Sequence, residues 1–157
     1  MERKISPSLL MAWCKSQQAA WQYLYGIKQE TAAMNLGSAV HCAILEPKEL
    51  HKRYTLKDWD GRTKEGRERA KEVEATGLLA LSEAEWEKVQ GIHKNAMQNE
   101  VIKDIVFGDG CHREVKLETD QFKGIIDLYT DSGYLIDLKT TSDANPYGFS
   151  RSYLRMY

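Results

Sequence analysis

Two aspartates near the end of the chain have the residue types and the spacing of a divalent-metal site. Asp127 is followed about ten residues later by Asp137-Leu138-Lys139, and two threonines come directly after the lysine. Carboxylate oxygens are hard ligands of the kind that suit Mg2+ or Mn2+. The pattern therefore indicates metal-assisted chemistry if the fold brings the two carboxylates together.

The stretch from position 112 to 139 has the pattern of three short antiparallel strands. Apolar residues alternate with polar ones, as in a sheet with one buried face. The apolar set is Val115, Leu117, Phe122, Ile126, Leu128, Ile136 and Leu138. Asp131-Ser132-Gly133 fits a three-residue hairpin loop, and Thr119-Asp120 can form a two-residue turn. We expect strands over 112–118, 121–130 and 134–139.

These two turns fix a register. If Thr130 faces Tyr134, then Asp127 lies opposite Asp137. If Glu118 faces Gln121, then Glu114 lies opposite Ile125, on the face that carries Asp127. The polar face then holds the charged side chains Glu114, Lys116, Lys123, Asp127, Asp137 and Lys139.

Facing carboxylates on neighbouring strands have Cβ atoms only about 5 Å apart, and like charges so placed destabilise a sheet. A divalent cation between them would remove that penalty. The same pattern also fits a solvated sheet face that binds no ion, because antiparallel sheets with one wet face are common. The strand pattern alone leaves both interpretations open.

The acidic pattern resembles the PD-(D/E)XK nuclease superfamily, in which an Asp precedes an Asp-x-Lys motif. The residues that carry the resemblance are Asp127, Asp137-Leu138-Lys139 and Thr140-Thr141. In particular, the chain is similar to the RecE (exodeoxyribonuclease VIII) type of phage exonuclease domain. The opening Ile5-Ser6-Pro7-Ser8 is similar to the start of such domains, and the resemblance covers most of the chain.

A second predicted feature is a helix from Thr31 to Leu45 that is almost entirely apolar and therefore buried. A single histidine in such a helix, here His41, is usually a core residue. However, Gly37-Ser38-Ala39-Val40-His41 resembles the Gly-x-x-x-His helix of RecB-like and RecE-like nucleases. In that family the histidine is a metal ligand or lies against the metal, so the resemblance makes His41 a candidate ligand.

Residues 6–25 carry apolar side chains at helical spacing. Ser6 and Pro7 fit a helix start, and Ser16 can cap a second helix. Trp13 and Trp21 follow the apolar stripe, which favours core positions over a platform on which nucleic-acid bases stack.

The middle of the chain is polar. We expect an irregular segment from Pro47 to Gly61 and a charged helix over 62–75. The mixed charges favour a solvated helix, and the alternative is that the basic residues here meet DNA phosphates. The candidates are Arg62, Lys64 and Arg67, together with Arg151 on a final helix that begins at Asn145-Pro146.

Two further helices have clear start signals. Ser82-Glu83-Ala84-Glu85 has the pattern of a capping box and predicts a helix to about Gln98. Asn99 is a suitable cap for a short helix from Glu100 to Phe107.

Composition narrows the class of protein. The chain has 157 residues and a net charge of −1, so its overall charge does not indicate binding to nucleic acid. A local basic patch would be enough for such binding. The cysteines Cys14, Cys42 and Cys111 are widely spaced, and neither a secretion signal nor an apolar run of about 18 residues occurs. We expect reduced thiols, no membrane partner and a cytoplasmic protein.

The resemblance implies an α+β fold with a restriction-endonuclease-like core, in which a three-stranded antiparallel meander (about 112–139) packs on N-terminal helices. We expect one RecE-like nuclease domain over 1–157. RecE-like domains continue with further elements after this point, so a truncated domain is one of the interpretations. The implied activity is Mg2+-dependent exonuclease cleavage of double-stranded DNA ends in phage-type recombination, with Mn2+ as a substitute. The implied setting is a bacterial host cell, with a phage or prophage gene, a single-strand annealing protein as partner, and a homo-oligomer.

The resemblance also implies roles for the site residues. Asp127, Asp137 and Glu114 would hold the ion with His41 close to it, and Lys139 would orient a water or stabilise charge on the phosphoryl group. Two other classes remain open. One is an inactive nuclease-like module that binds DNA or a protein, and the other is a small interaction domain that binds no metal.

Overall fold

The computed structural model of the chain describes residues 3–27, 31–141, 143 and 145–156, with side chains as far as Arg151. The described residues form helices, a two-stranded sheet and a three-stranded sheet. The predicted α+β class is therefore confirmed. None of the described helices is both long enough and apolar enough to cross a lipid bilayer.

The chain begins with a pair of short helices, α1 (Pro7–Lys15) and α2 (Gln17–Tyr25). The side chains of Ser6 and Ser16 each accept a hydrogen bond from the backbone N–H three residues further on. Ser16 is extended, which ends α1 and starts α2 at one residue. The predicted break at this position is confirmed.

The expectation that the tryptophans of this pair are core residues is wrong. Trp13 and Trp21 are each 62% exposed, while Leu9 and Ala20 are the buried residues of α1 and α2. The two helices pack chiefly against each other. An apolar stripe on a helix is buried only where another element covers it. In α1 and α2 the buried positions are Leu9 and Ala20, and the tryptophans lie outside them.

Helix α3 (Ala32–Leu45) is the centre of the core. The Thr31 side chain caps it by accepting a hydrogen bond from the Met34 N–H, and the helix ends before Pro47 as predicted. Its second half is buried, with Ala39, Val40, Cys42, Ala43, Ile44 and Leu45 at most 4% exposed. It packs along α6 (Glu83–Gln98).

The segment from Pro47 onward is more regular than expected. After a 3-10 turn and the short helix α4 (Leu50–Arg53), strand β1 (Tyr54–Leu56) pairs in parallel with β2 (Leu79–Leu81), and α5 (Lys64–Thr76) connects them. The prediction of an irregular segment is therefore wrong. Strands of three residues are too short to show alternation, and their pairing depends on a distant partner.

The remaining helices begin where their caps predict. The capping box of Ser82 and Glu85 is formed at the start of α6. Asn99 Oδ1 accepts a hydrogen bond at the start of α7 (Glu100–Phe107). Helix α8 (Pro146–Met156) follows Asn145.

The three-stranded sheet is antiparallel in the order β3 (Cys111–Glu118), β4 (Lys123–Thr130) and β5 (Leu135–Ile136). The register of the second hairpin is confirmed, because Leu128 pairs with Ile136. The register of the first is wrong, because Glu118 pairs with Lys123 instead of Gln121.

A four-residue connection explains the difference. Thr119 and Phe122 close it with hydrogen bonds of 2.8 and 3.0 Å, and Phe122 forms a bridge with Ile5. The register shifts by two residues, so the same side chains still share a face. Ile125 now pairs with Lys116, and Glu114 lies level with Asp127.

The apolar face of the sheet is buried only in part. Leu128 is 1% exposed, and Ile136 and Leu138 pack against the core of α3 and α6. Leu117 and Phe122 are 52% and 48% exposed, so the expectation of burial is wrong for these two. Phe122 lies in the connection, and Leu117 pairs with Gly124, which offers no side chain to pack against.

Candidate metal centre

A cleft between α3 and the sheet brings three of the predicted site residues together. Ligand atoms of His41, Glu114 and Asp127 all lie within 4.8 Å of one another. All three are half-buried. The cleft has a volume of about 660 Å³, and Glu46, Arg53 and Thr140 also line it.

His41 reaches the cleft from the middle of α3. Its Nδ1 lies 3.8 Å from Asp127 Oδ2, and its side chain is 30% exposed. One turn earlier, Gly37 faces Thr140: a Cβ at Gly37 would lie 3.3 Å from Thr140 Oγ1. The missing side chain at Gly37 therefore lets the segment after the Asp-x-Lys motif approach the same face of α3.

Asp127 is placed by the strand pleat. Its neighbour Leu128 points into the core, so Asp127 points to the other face of β4, where its side chain is 18% exposed. Asp127 Oδ2 also accepts a hydrogen bond of 2.8 Å from the Leu138 N–H. This bond ties the first carboxylate of the motif to the backbone of the second half.

Glu114 has an unusual backbone conformation. Its φ is 50°, the left-handed region that residues other than glycine, asparagine and aspartate rarely adopt. The pairing of β3 with β4 is interrupted there: Arg113 pairs with Leu128 and Val115 with Ile126, and Glu114 lies between them. Such strain costs on the order of 1–3 kcal/mol and is concentrated at functional sites. Here it places a carboxylate beside Asp127.

The electrostatics of the three residues fit a cation. The pKa of Glu114 is raised, first because burial disfavours the charged form and then because the carboxylates of Glu46 and Asp127 lie near it. The nearby His41 and Arg53 act in the opposite direction. A divalent ion would offset this crowding of negative charge. Two carboxylates and one imidazole suit Mn2+ better than Mg2+. Both ions accept carboxylate oxygens as ligands.

Two residues of the cleft were not identified from the sequence. Arg53 holds Glu46 with two hydrogen bonds, of 2.7 and 2.9 Å. The pair spans the end of α3 and the short helix α4, which the sequence did not predict, so no periodic pattern could align them. Beside them, burial raises the pKa of the Cys42 thiol.

The other two motif residues, Asp137 and Lys139, form an ion pair with each other. Lys139 Nζ contacts Asp137 Oδ2 at 2.6 Å, and the Asp137 side chain is 56% exposed. The register of the β4–β5 hairpin, continued by one residue, puts Asp137 level with Asp127, as the sequence predicted. However, β5 ends at Ile136, and among the described residues the Asp137 carboxylate is not part of the metal-ligand group.

The four basic residues considered for DNA contact are exposed and do not line the cleft. Arg62 precedes α5, and Lys64 and Arg67 lie in its first turns. Arg151 lies in α8, with its guanidinium 6.0 Å from the centre of the Tyr147 ring. Among the described residues, none of these four lines the cleft. Their role in DNA binding stays a prediction.

Comparison with models of protein families finds a match over most of the chain. A family model described as "PDDEXK-like domain of unknown function (DUF3799)" matches residues 6–156. No curated protein matches the chain. The match supports the predicted superfamily and a nuclease-type fold, while the more specific RecE likeness stays a prediction.

Proposed function

Because this chain belongs to the family of PDDEXK-like domains of unknown function (DUF3799), we propose that it is a divalent-metal-dependent deoxyribonuclease. One observation carries the proposal. His41, Glu114 and Asp127 come from three different elements, and their ligand atoms lie within 4.8 Å of one another in an open cleft. Two carboxylates held this close together, one of them on a strained backbone, are typical of a functional site.

The three residues have distinct roles in this proposal. Asp127 and Glu114 hold Mg2+, or Mn2+ as a substitute, through carboxylate oxygens, and His41 completes the set from α3. A bound divalent ion would polarise a phosphodiester and lower the pKa of a water molecule. Asp127 additionally keeps the backbone of residue 138 against the site through its hydrogen bond. Glu46, restrained by Arg53, adds a third carboxylate to the lining of the cleft.

Asp137 and Lys139 complete the proposed catalytic group. The two side chains form an ion pair at 2.6 Å. We infer that Asp137 would offer a further carboxylate to a bound ion and that Lys139 would lie near the scissile phosphate. There the ammonium group would orient the attacking water or stabilise the charge that grows on the phosphoryl oxygens.

The finer assignment follows the resemblance to RecE-type domains. We propose that the substrate is double-stranded DNA attacked from an end, in phage-type recombination. The working partners would be a single-strand annealing protein and further copies of the chain in a homo-oligomer, in the cytoplasm of a bacterial host and encoded by a phage or prophage. The support for this level is the opening Ile5-Ser6-Pro7-Ser8 and the glycine–histidine spacing on α3.

A second candidate function is a nuclease-like module that binds DNA or a protein without cleaving it. The ion pair between Asp137 and Lys139 favours it, because the pair neutralises the lysine charge and, among the described residues, Asp137 is not part of the ligand group. The two candidates differ in one measurable respect: only the first hydrolyses phosphodiester bonds.

The test is an incubation of end-labelled linear duplex DNA with the protein, in Mg2+ and in EDTA. We expect label to be released in Mg2+ alone, and we expect Asp127→Asn to abolish the release. Asp131→Asn is the matched control, because Asp131 lies on the same hairpin and pairs with His112 at 2.7 Å, away from the cleft. Intact DNA with the unmodified protein in both Mg2+ and Mn2+ would favour the binding module.

A further inference from the structure

The paired helices α1 and α2 expose more aromatic surface than folding requires. Trp21 and Tyr25, one turn apart on α2, are 62% and 63% exposed. They contribute little to the core, because Ala20 is the buried residue of that helix. Contiguous exposed apolar surface on a folded protein is a feature of many binding sites.

These two aromatic rings form one surface with a guanidinium group. The ring centroids of Trp21 and Tyr25 lie 5.6 Å apart, at an interplanar angle of 44°. The Arg3 guanidinium lies 5.3 Å from the centre of the Tyr25 ring. Arg3 Nη1 also donates a hydrogen bond of 2.7 Å to the Leu24 carbonyl oxygen, which fixes the guanidinium in place. The aromatic pair is therefore preformed and lies beside a positive charge.

From Arg3 the positive surface continues toward the sheet. A basic recess of about 260 Å³ has Arg3, Lys4 and Lys123 on its walls, and none of the described residues that line it is acidic. Lys123 also lines a neighbouring lysine groove of about 520 Å³, together with Lys116. Glu118 lines that groove too, and Lys4 neutralises it at 2.8 Å.

The lysine groove leads into the candidate metal centre. Ile125 lines both the groove and the cleft that holds Asp127. Cleft, lysine groove, basic recess and aromatic pair therefore adjoin one another in this order, each sharing a residue or a contact with the next, and we call the series the track.

The charge of the lysine groove and the basic recess favours an anion as their occupant. Residues 1–27 contain the basic residues Arg3, Lys4 and Lys15 and one acidic residue, Glu2, although the whole chain has a net charge of −1. Positive charge beside exposed aromatic rings is typical of surfaces that bind single-stranded nucleic acid, in which phosphates meet the cations and bases stack on the rings. A duplex keeps its bases paired and cannot offer their faces to Trp21.

We propose that a single strand of nucleic acid runs along this track, from the metal centre through the lysine groove and the basic recess, and that its unpaired bases stack on Trp21 and Tyr25. The inference rests on the proposed nuclease function and adds the strand form that the protein holds beside the site. Each base stacked on an aromatic side chain strengthens binding by about 5- to 100-fold.

The test measures binding without cleavage. A fluorescently labelled oligothymidylate of about 16 nucleotides, within the site sizes of such surfaces, is titrated with the protein in EDTA, and anisotropy is recorded. We expect Trp21→Ala and Tyr25→Ala each to weaken binding about tenfold. The matched control is Tyr134→Ala, because Tyr134 is 69% exposed and lines neither the cleft, the lysine groove nor the basic recess.

The salt dependence of the same titration tests the basic part of the track. Each phosphate contact contributes about −0.7 to the slope of log affinity against log salt for a single strand. Lys123→Ala should therefore reduce the magnitude of the slope by about 0.7. A duplex of equal length should bind more weakly than the single strand and should not respond to Trp21→Ala.

Two results would overturn the proposal. One is binding of oligothymidylate by Trp21→Ala and Tyr25→Ala that is within twofold of the binding by Tyr134→Ala. The other is that the protein does not bind the oligonucleotide but self-associates through Trp21. Sedimentation would then show an oligomer for the parent and a monomer for Trp21→Ala. Because the titration contains EDTA, its failure is distinct from a failure of the nuclease proposal, which would appear as intact duplex DNA in Mg2+ while strand binding persists.

Discussion

Asp127 Oδ2 accepts a hydrogen bond of 2.8 Å from the backbone N–H of Leu138. The bond joins strand β4 to the segment that carries Asp137 and Lys139, so one carboxylate both faces the metal centre and positions the rest of the motif. Substitutions at Asp127 can separate these two roles, because asparagine keeps an acceptor oxygen and loses the charge.

Asp127→Asn and Asp127→Ala should therefore differ in the metal-free protein. Alanine leaves the Leu138 N–H without its acceptor, which costs about 1–3 kcal/mol for a half-buried donor. We expect Asp127→Ala to melt at a lower temperature in EDTA than Asp127→Asn, and both to lose the rise in melting temperature that Mn2+ gives the parent. Equal melting temperatures in EDTA would show that the hydrogen bond does not contribute.

Glu114 gives a prediction about pH. Its pKa is raised in the folded protein, first by burial and then by Glu46 and Asp127. A carboxyl with a raised folded pKa contributes stability that is present below its unfolded pKa of about 4.5 and is lost as the pH rises through the folded value. In EDTA, Glu114→Gln should therefore melt above the parent at pH 7 and at the same temperature near pH 4.

Melting curves of the two proteins between pH 4 and 8 would check this, always in EDTA so that no ion compensates the charge. A difference that stays constant across this range would contradict the predicted origin of the effect. With Mn2+ the order should reverse at pH 7, because glutamine lacks the charge that holds the ion.

Lys139 gives a prediction about catalysis. If its ammonium group acts only in the transition state, Lys139→Ala should lower the rate of cleavage by on the order of 100-fold or more while the Mn2+ shift in melting temperature persists. Lys103→Ala serves as control, since Lys103 is also an exposed lysine in an ion pair, with Glu100 at 3.7 Å. Cleavage by Lys139→Ala at the rate of Lys103→Ala would remove the lysine from the mechanism.

Two mid-helix glycines test how closely the motif segment packs on α3. An added Cβ at Gly91 in α6 meets nothing within 4 Å, whereas one at Gly37 in α3 lies 3.3 Å from Thr140 Oγ1. Alanine in a helix is favoured over glycine by about 1 kcal/mol, or about 2–4 °C at this chain length. Gly91→Ala should show that full gain, and Gly37→Ala should show less. An equal gain at both positions would mean that Thr140 does not restrict Gly37.

Local signals predicted the parts of the fold that short stretches determine. Caps such as Ser16, Thr31 and Asn99 act within three residues of themselves, so the starts of α2, α3 and α7 could be read directly. The β4–β5 register followed from one glycine-containing loop. These features depend on few neighbours, and the sequence contains all of them.

The features that were missed depend on distant contacts. The wider connection between β3 and β4 is set partly by the bridge from Ile5 to Phe122, far apart in the chain. The exposure of Trp13 and Trp21 depends on which elements cover α1 and α2. The periodicity of apolar residues within a helix does not predict which elements those are. Glu46 and Arg53 meet only because α4 follows a 3-10 turn.

The site itself was predicted in part for the same reason. The pattern grouped Glu114, Asp127 and Asp137 on one sheet face, and the structure brings the first two together with His41. Glu114, whose carboxylate lies beside Asp127, has a positive φ. A glutamate does not predict a positive φ, as a glycine or an asparagine would. The position of Asp137 depends on its ion pair with Lys139, two residues away.

The most direct measurement of the central proposal is the anomalous scattering of Mn2+ in crystals grown or soaked with the ion. We predict a single strong peak in contact with His41, Glu114 and Asp127, at ligand distances of about 2.0–2.3 Å, and no such peak in crystals of Asp127→Asn. A peak held only by other acidic residues, or no peak at Mn2+ concentrations that raise the melting temperature, would contradict the proposal that these three side chains form the metal centre.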